Sequence, residues 1–287
     1  MTVPSSAETT FPPPDKSAPG ASFAIATTLK QSPAHTKAYL HYHLNLAPDL
    51  FILFFDDPND QAADYAADFK GTLVFRCDDA HWRRVHGGAP ERMQQKQHAN
   101  LNAALEICRE RRISWLISVD ADELIYPFDE IRKELALLPA EKDLLTLRPL
   151  EAVRHRSLND DEPFSSIYHK VLPRPARMRL FELIARPDPN LTHLGFFGHV
   201  TGKAFHRVAA TTRITSQHGS KGAIAAGKWR SSKATFLLHH DCVSYNEWKL
   251  KWSRRVSKDT VATRISDVRQ RQHEFIEAVL ARGGDGE

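Results

Sequence analysis

Six consecutive apolar residues, Leu50 to Phe55 (LFILFF), limit the architecture of this chain more than any other feature. A strand turns successive side chains to opposite faces, so an unbroken apolar strand has to be covered on both sides. That requires a largely parallel sheet flanked by helices. The neighbouring patterns agree. Phe23 to Thr28, Thr72 to Phe75 and Trp115 to Val119 read as further short strands. Apolar residues at helical spacing predict helices over His35 to Leu46, stopped by Pro48, and over Arg92 to Arg111. The first half therefore alternates strand and helix in the manner of a Rossmann-like, nucleotide-binding α/β fold.

In such sheets ligands sit beyond the carboxyl ends of the strands. Three polar groups fall at such ends here: Thr27, Thr28 and Lys30; Asp56 and Asp57; Asp120 and Asp122. Sequence order alone places them around one crevice. The second half is less regular. Leu144 to Leu150, Ile167 to Leu172, Arg179 to Ala185 and Thr235 to Leu238 read as short strands, and Asn246 to Val256 and Val261 to Leu280 as closing helices.

A length of 287 residues with 41% hydrophobic content suits one α/β domain. The expected organisation is a disordered segment over 1–21, one domain over 22–282 and a frayed tail over 283–287. Within that domain, 22–125 is expected to form the nucleotide-binding half, 126–257 the second half and 258–282 a C-terminal helix. The Pro- and Ser-rich start lacks the basic and apolar regions of a secretory signal. No apolar run approaches the ~18 residues of a membrane span. Cys77, Cys108 and Cys242 are scattered and read as reduced thiols, which predicts a cytoplasmic location. A net charge of +4 decides nothing about partners, and no nucleic-acid-reading motif accompanies it.

Asp120-Ala121-Asp122 is the one D-x-D in the chain, set between WLISV and Leu124-Ile125. Carboxylates at i and i+2 just past a strand can approach one hard cation, Mn²⁺ or Mg²⁺, while leaving positions for water and substrate phosphates. A divalent ion across a diphosphate stabilises it as a leaving group. The bland alternative, a solvated acidic turn, fits poorly with core sequence on both sides.

WLISVDADELIYP resembles the signature of GT-A glycosyltransferases of the family 2-like group. Further pieces match in order: FILFFDDPND, Lys96-Gln97-His98-Ala99-Asn100, Gly202-Lys203 to Arg207 with His218, and LLHHDCVSYNEWKLKW. The resemblance spans about residues 23 to 257. It implies a GT-A fold and a transferase moving a sugar from a nucleotide-diphosphate donor, a UDP-sugar, to a glycan or glycolipid. It implies Asp122 on the metal and Asp120 at the ribose or the metal. Thr27, Thr28, Asp56 and Asp57 would lie around base and ribose, with Lys30, Lys96, Gln97 and Asn100 beside them. His239 would complete the metal site and Lys251 would pair with phosphate. The chain departs from the pattern at Gln31-Ser32 and Lys37, which puts details of the nucleotide pocket in question.

Adjacent His239 and His240 on a strand must face opposite ways. An inverting transfer also needs a carboxylate base. Asp161, Glu162 and Glu182 lie in the acceptor-side half, and the sequence leaves the choice among them open; the stereochemical outcome is open too. Rival classes are a metal-dependent phosphohydrolase or nuclease and a non-catalytic nucleotide-sugar-binding protein. No transmembrane segment is expected, and peripheral association with the inner membrane face stays open.

Overall fold

The computed structural model describes residues 21–155, 158–159, 161–172, 184, 191–192, 195–256 and 267–281. The described residues divide into two compact units: a sheet unit within 21–149 and 201–238, and a second unit within 150–200 and 239–281.

In the sheet unit, β1 (Phe23–Leu29), β2 (Leu50–Phe55), β3 (Thr72–Arg76) and β4 (Trp115–Ser118) are parallel, in the order β3-β2-β1-β4. All six residues of β2 are buried. Its alternation sends Phe51 toward Tyr39 and His43 of α1 (Pro33–Leu44), and Phe54 onto Phe75 and His81 on the opposite face. That second face is closed by α3 (Asp79–His86) and α4 (Met93–Glu110), whose Leu101, Ala104, Leu105 and Cys108 pack with Ala24, Ile52 and Leu116. A short α2 (Ala62–Ala67) joins β2 to β3. The α/β class expected from LFILFF is the class observed.

Beyond β4 the sheet turns antiparallel. β8 (Ala204–Arg207) pairs with β4, and β6 (Leu144–Val153) pairs with β8. β9 (Trp229–His239) and β5 (Glu123–Tyr126) complete the order. A short α5 (Ile131–Ala136) follows β5, and α6 (Lys221–Ala225) precedes β9.

Several boundaries differ from the sequence reading for local reasons. α1 begins at Pro33 because the Ser32 hydroxyl accepts the His35 N–H at 3.3 Å, and Pro is suited to a first helical turn. It ends at Leu44, before Ala47 adopts a left-handed φ of 44°. β8 has no apolar run to announce it. β9 starts six residues before the predicted Thr235 because its first half is polar and largely exposed.

In the second unit, the far end of β6 pairs with β7 (Tyr168–Val171), Val153 opposite Tyr168. Ser244 caps α7 (Tyr245–Val256) by accepting the Glu247 N–H at 3.2 Å. Trp252 of α7 is buried and its ring meets His273 of α8 (Asp267–Ala281). The predicted strand at Arg179 to Ala185 lies outside the described residues save Ile184, and so does the start of the predicted closing helix, 261–266. Among the described residues no helix is long and apolar enough to cross a membrane.

Candidate functional site

Because β2, β1 and β4 are parallel neighbours, their carboxyl ends lie side by side, and each ends in polar sequence. The Asp56 N–H bonds the Leu29 carbonyl at 2.9 Å, and the Val119 N–H bonds the Ala26 carbonyl at 3.1 Å. The first two turns of α4 reach all three ends. Lys96 donates to Asp56 Oδ1 at 2.5 Å, Gln97 to Asp120 Oδ1 at 2.9 Å, and Asn100 to Thr28 Oγ1 at 3.0 Å. Residues i, i+1 and i+4 of one helix thus bind strands β2, β4 and β1 respectively.

Alternation separates the two threonines. Thr27 is buried and its hydroxyl meets the Tyr39 hydroxyl at 2.7 Å, tying β1 to α1. Thr28 turns to the α4 side. Asp56 is buried and also lies 3.4 Å from the half-exposed Lys30 ammonium; Lys96 in turn stands 5.4 Å over the Trp82 ring. Asp57 is exposed and accepts the Asn59 N–H at 2.9 Å, an Asx-type turn.

Behind Asn100 a polar chain continues. Arg84 Nη2 donates to His81 Nδ1 at 3.3 Å, so neutral His81 carries its proton on Nε2 and donates to Asn100 Oδ1 at 2.8 Å. Burial lowers the His81 pKa, consistent with the neutral ring. Thr28 accepts from Asn100 and keeps its own proton to donate.

The acidic cluster is a tight turn between β4 and β5. Glu123 Oε2 accepts the Asp120 N–H at 2.9 Å, and the Glu123 N–H reaches the Asp120 carbonyl at 3.0 Å. His35 Nε2 donates to the Ala121 carbonyl at 2.7 Å. Asp122 is half-buried. The Asp120 carboxylate receives a second donor, Lys203 Nζ, at 2.6 Å on Oδ2. The Lys203 side chain is only 3% exposed, bonds Gln217 Oε1, and lies 3.6 Å from Glu123. Burial opposes the Lys203 charge, but Asp120, Glu123 and Asp122 outweigh it and raise its pKa. Burial likewise pushes the Glu123 carboxyl above the usual range, against the pull of Lys203 and with the push of Asp120 and Asp122.

Among the described residues, no group of three or more His, Cys, Asp or Glu side chains is arranged to hold a metal ion. One or two carboxylates do fit Mg²⁺ or Mn²⁺, which keep several waters and take further oxygens from substrate phosphates. Asp120 and Asp122 are the carboxylates of the turn that could take that role, Asp120 with a protein donor already on each oxygen.

The other predicted residues belong to the second unit. His239 lies against Gly198, where an added Cβ would fall 2.3 Å from its ring. His240 turns the other way, toward Phe164 and His169, as adjacent strand residues must. Lys251 donates to the Asp241 carbonyl at 3.1 Å and to Asp241 Oδ1 at 3.0 Å. Asp161 is exposed and accepts from Asn246 at 2.6 Å. Glu182 lies outside the described residues.

The site includes partners that the sequence reading assigned no role: Lys203, Gln217, His35 and Tyr39. Lys203 had a local signal in Gly202. A Cβ at residue 202 would stand 1.6 Å from the Leu147 carbonyl oxygen, so the backbone can approach there only as glycine.

No protein family and no curated protein matches the sequence. Among solved structures, S. aureus TarS 1-349 in complex with UDP is similar at 12% identity and a TM-score of 0.41, over 91% of this chain and 72% of that one. TarS 1-349 in complex with UDP-GlcNAc gives 12% identity and a TM-score of 0.38, over 91% and 73%. A 4-diphosphocytidyl-2C-methyl-D-erythritol synthase is similar over 53% of this chain and 68% of that one, at 13% identity and a TM-score of 0.27. These likenesses are distant, and the functional reading rests on the residues of the site.

Proposed function

We propose that the protein is a divalent-metal-dependent glycosyltransferase of GT-A type that takes a nucleotide-diphosphate sugar, a UDP-sugar, as donor. One observation carries this reading. Two turns of α4 gather Asp56, Thr28 and Asp120 at the carboxyl ends of three parallel strands, beside the half-buried Asp122.

Each residue then has a task. Thr28 has a proton to donate, and Asp56 and Asp120 have lone pairs for the N–H and O–H groups of a nucleoside. Asp122, with Asp120 adjacent, would hold Mn²⁺ or Mg²⁺, and the ion would stabilise charge gathering on the diphosphate leaving group. The Lys30 ammonium, half exposed beside Asp56, adds positive charge where phosphates need it. A glycan or glycolipid is the acceptor class, and Asp161 is the described candidate for its general base.

The test is a thermal-shift panel of UDP-, GDP-, CDP- and ADP-sugars, each with Mn²⁺, with Mg²⁺ and with chelator. Metal-dependent stabilisation by one nucleotide class is the expected result. The reading falls if no nucleotide diphosphate raises the melting temperature under any metal condition.

A further inference from the structure

The D-x-D turn contains more positive charge than its sequence suggests. Lys203 arrives from the start of β8, 83 residues beyond Asp120, and buries its ammonium within the acidic cluster. Its backbone is held as firmly as its side chain. The Leu147 N–H bonds the Lys203 carbonyl at 2.8 Å, and the neighbouring Gly202 carbonyl accepts His218 Nδ1–H at 2.6 Å. Glycine at 202 is what permits this approach. A buried lysine needs close carboxylate partners to offset lost hydration, and of the carboxylates Asp120 is the nearer, at 2.6 Å against 3.6 Å for Glu123. Gln97 holds the other Asp120 oxygen. Both oxygens therefore carry a protein donor, which fixes the carboxylate plane.

We propose that Lys203 is a positioning residue for the donor site: with Gln97 it clamps Asp120 in one orientation and neutralises it. Asp120 thereby serves nucleotide binding, while cation binding falls to Asp122. The proposal rests on the donor reading above and goes beyond it.

The test separates the two kinds of binding. UDP affinity is measured by calorimetry with Mn²⁺ and with chelator, and Mn²⁺ affinity by electron paramagnetic resonance without nucleotide, for wild type, Lys203→Met and Lys203→Arg. Lys203→Met is expected to weaken UDP about tenfold in both conditions, the scale of one charge-assisted hydrogen bond. Mn²⁺ affinity should hold or tighten, since a positive charge has left the cluster. Lys203→Arg, which keeps charge and donors, should recover part of the UDP affinity. On an Asp120→Asn background, Lys203→Met should add less than a twofold further loss. Gln97→Ala, on the half-buried face of α4, removes the other half of the clamp should Lys203→Met fail to fold; UDP should weaken and Mn²⁺ should not.

A parallel fall in UDP and Mn²⁺ affinity overturns the assignment, since loosening of the whole site would do that. So does unchanged UDP affinity in folded Lys203→Met. A wild-type protein that binds no UDP overturns the donor reading itself, so the two failures are distinguishable.

Discussion

Asn100→Ala probes the joint between α4 and β1. Asn100 is 1% exposed and bonded on both sides, donating to Thr28 and accepting from His81. Truncation removes both bonds, together with a longer one to Cys77 Sγ at 3.8 Å, and leaves the His81 Nε2–H, on a residue 4% exposed, without its acceptor. An orphaned buried donor costs about 1–3 kcal/mol, and a net hydrogen bond adds about 1. Thr28 is half-buried and can turn to water, so its share is small. The expected destabilisation is therefore about 2–4 kcal/mol. Urea unfolding followed by tryptophan fluorescence measures it, with the slope unchanged if only the native state is affected. Nucleotide affinity should fall as well, because the Thr28 hydroxyl loses the partner that orients it. A loss below about 0.5 kcal/mol, within the range of ordinary surface substitutions, would refute the view that α4 is tied to β1 through this residue.

Gly202→Ala should lower the melting temperature by ~6–12 °C, because a Cβ 1.6 Å from the Leu147 carbonyl forces β6 and the β8 lead apart at about 3 kcal/mol; a shift under 2 °C would contradict the close approach. Acid should destabilise the fold through buried neutral histidines. Burial holds His43 at about 3 and His206 at about 4, both below their unfolded value, so stability present above about pH 6.5 is lost as pH falls toward those values. Between pH 6.5 and 5 each contributes a loss of about 2 kcal/mol. His43→Phe should flatten the pH dependence of the unfolding free energy by about that amount, and an unchanged slope would count against it.

Much of the sheet half was legible because its signals are local. LFILFF and WLISV announce buried strands, and the polar residues after them fall where α4 binds the strand ends. Lys96, Gln97 and Asn100 came from a family resemblance, and the structure supplies the physical reason for their spacing: each bonds a different strand end. Strand alternation separates Thr27 from Thr28, but only the packed sheet says which faces α4. Lys203 could not be paired with Asp120 from sequence, because the contact spans 83 residues and enters through a short strand, AFHR, with little apolar pattern. His35, two residues inside α1, reaches the D-x-D turn by the same kind of long-range contact, across 86 residues. The proposed acceptor side falls on segments without strong periodicity, and Asp161 and Glu182 were distinguished by no local signal.

A cation held by Asp122, through which a nucleotide-diphosphate sugar binds, should show in titrations of UDP into wild type and Asp122→Asn with Mn²⁺ and with chelator. Wild-type affinity should rise with Mn²⁺, and Asp122→Asn should keep its fold and its metal-free affinity while losing the Mn²⁺-dependent gain. An Asp122→Asn protein that still binds UDP more tightly with Mn²⁺, to the same extent as wild type, would contradict that role for Asp122.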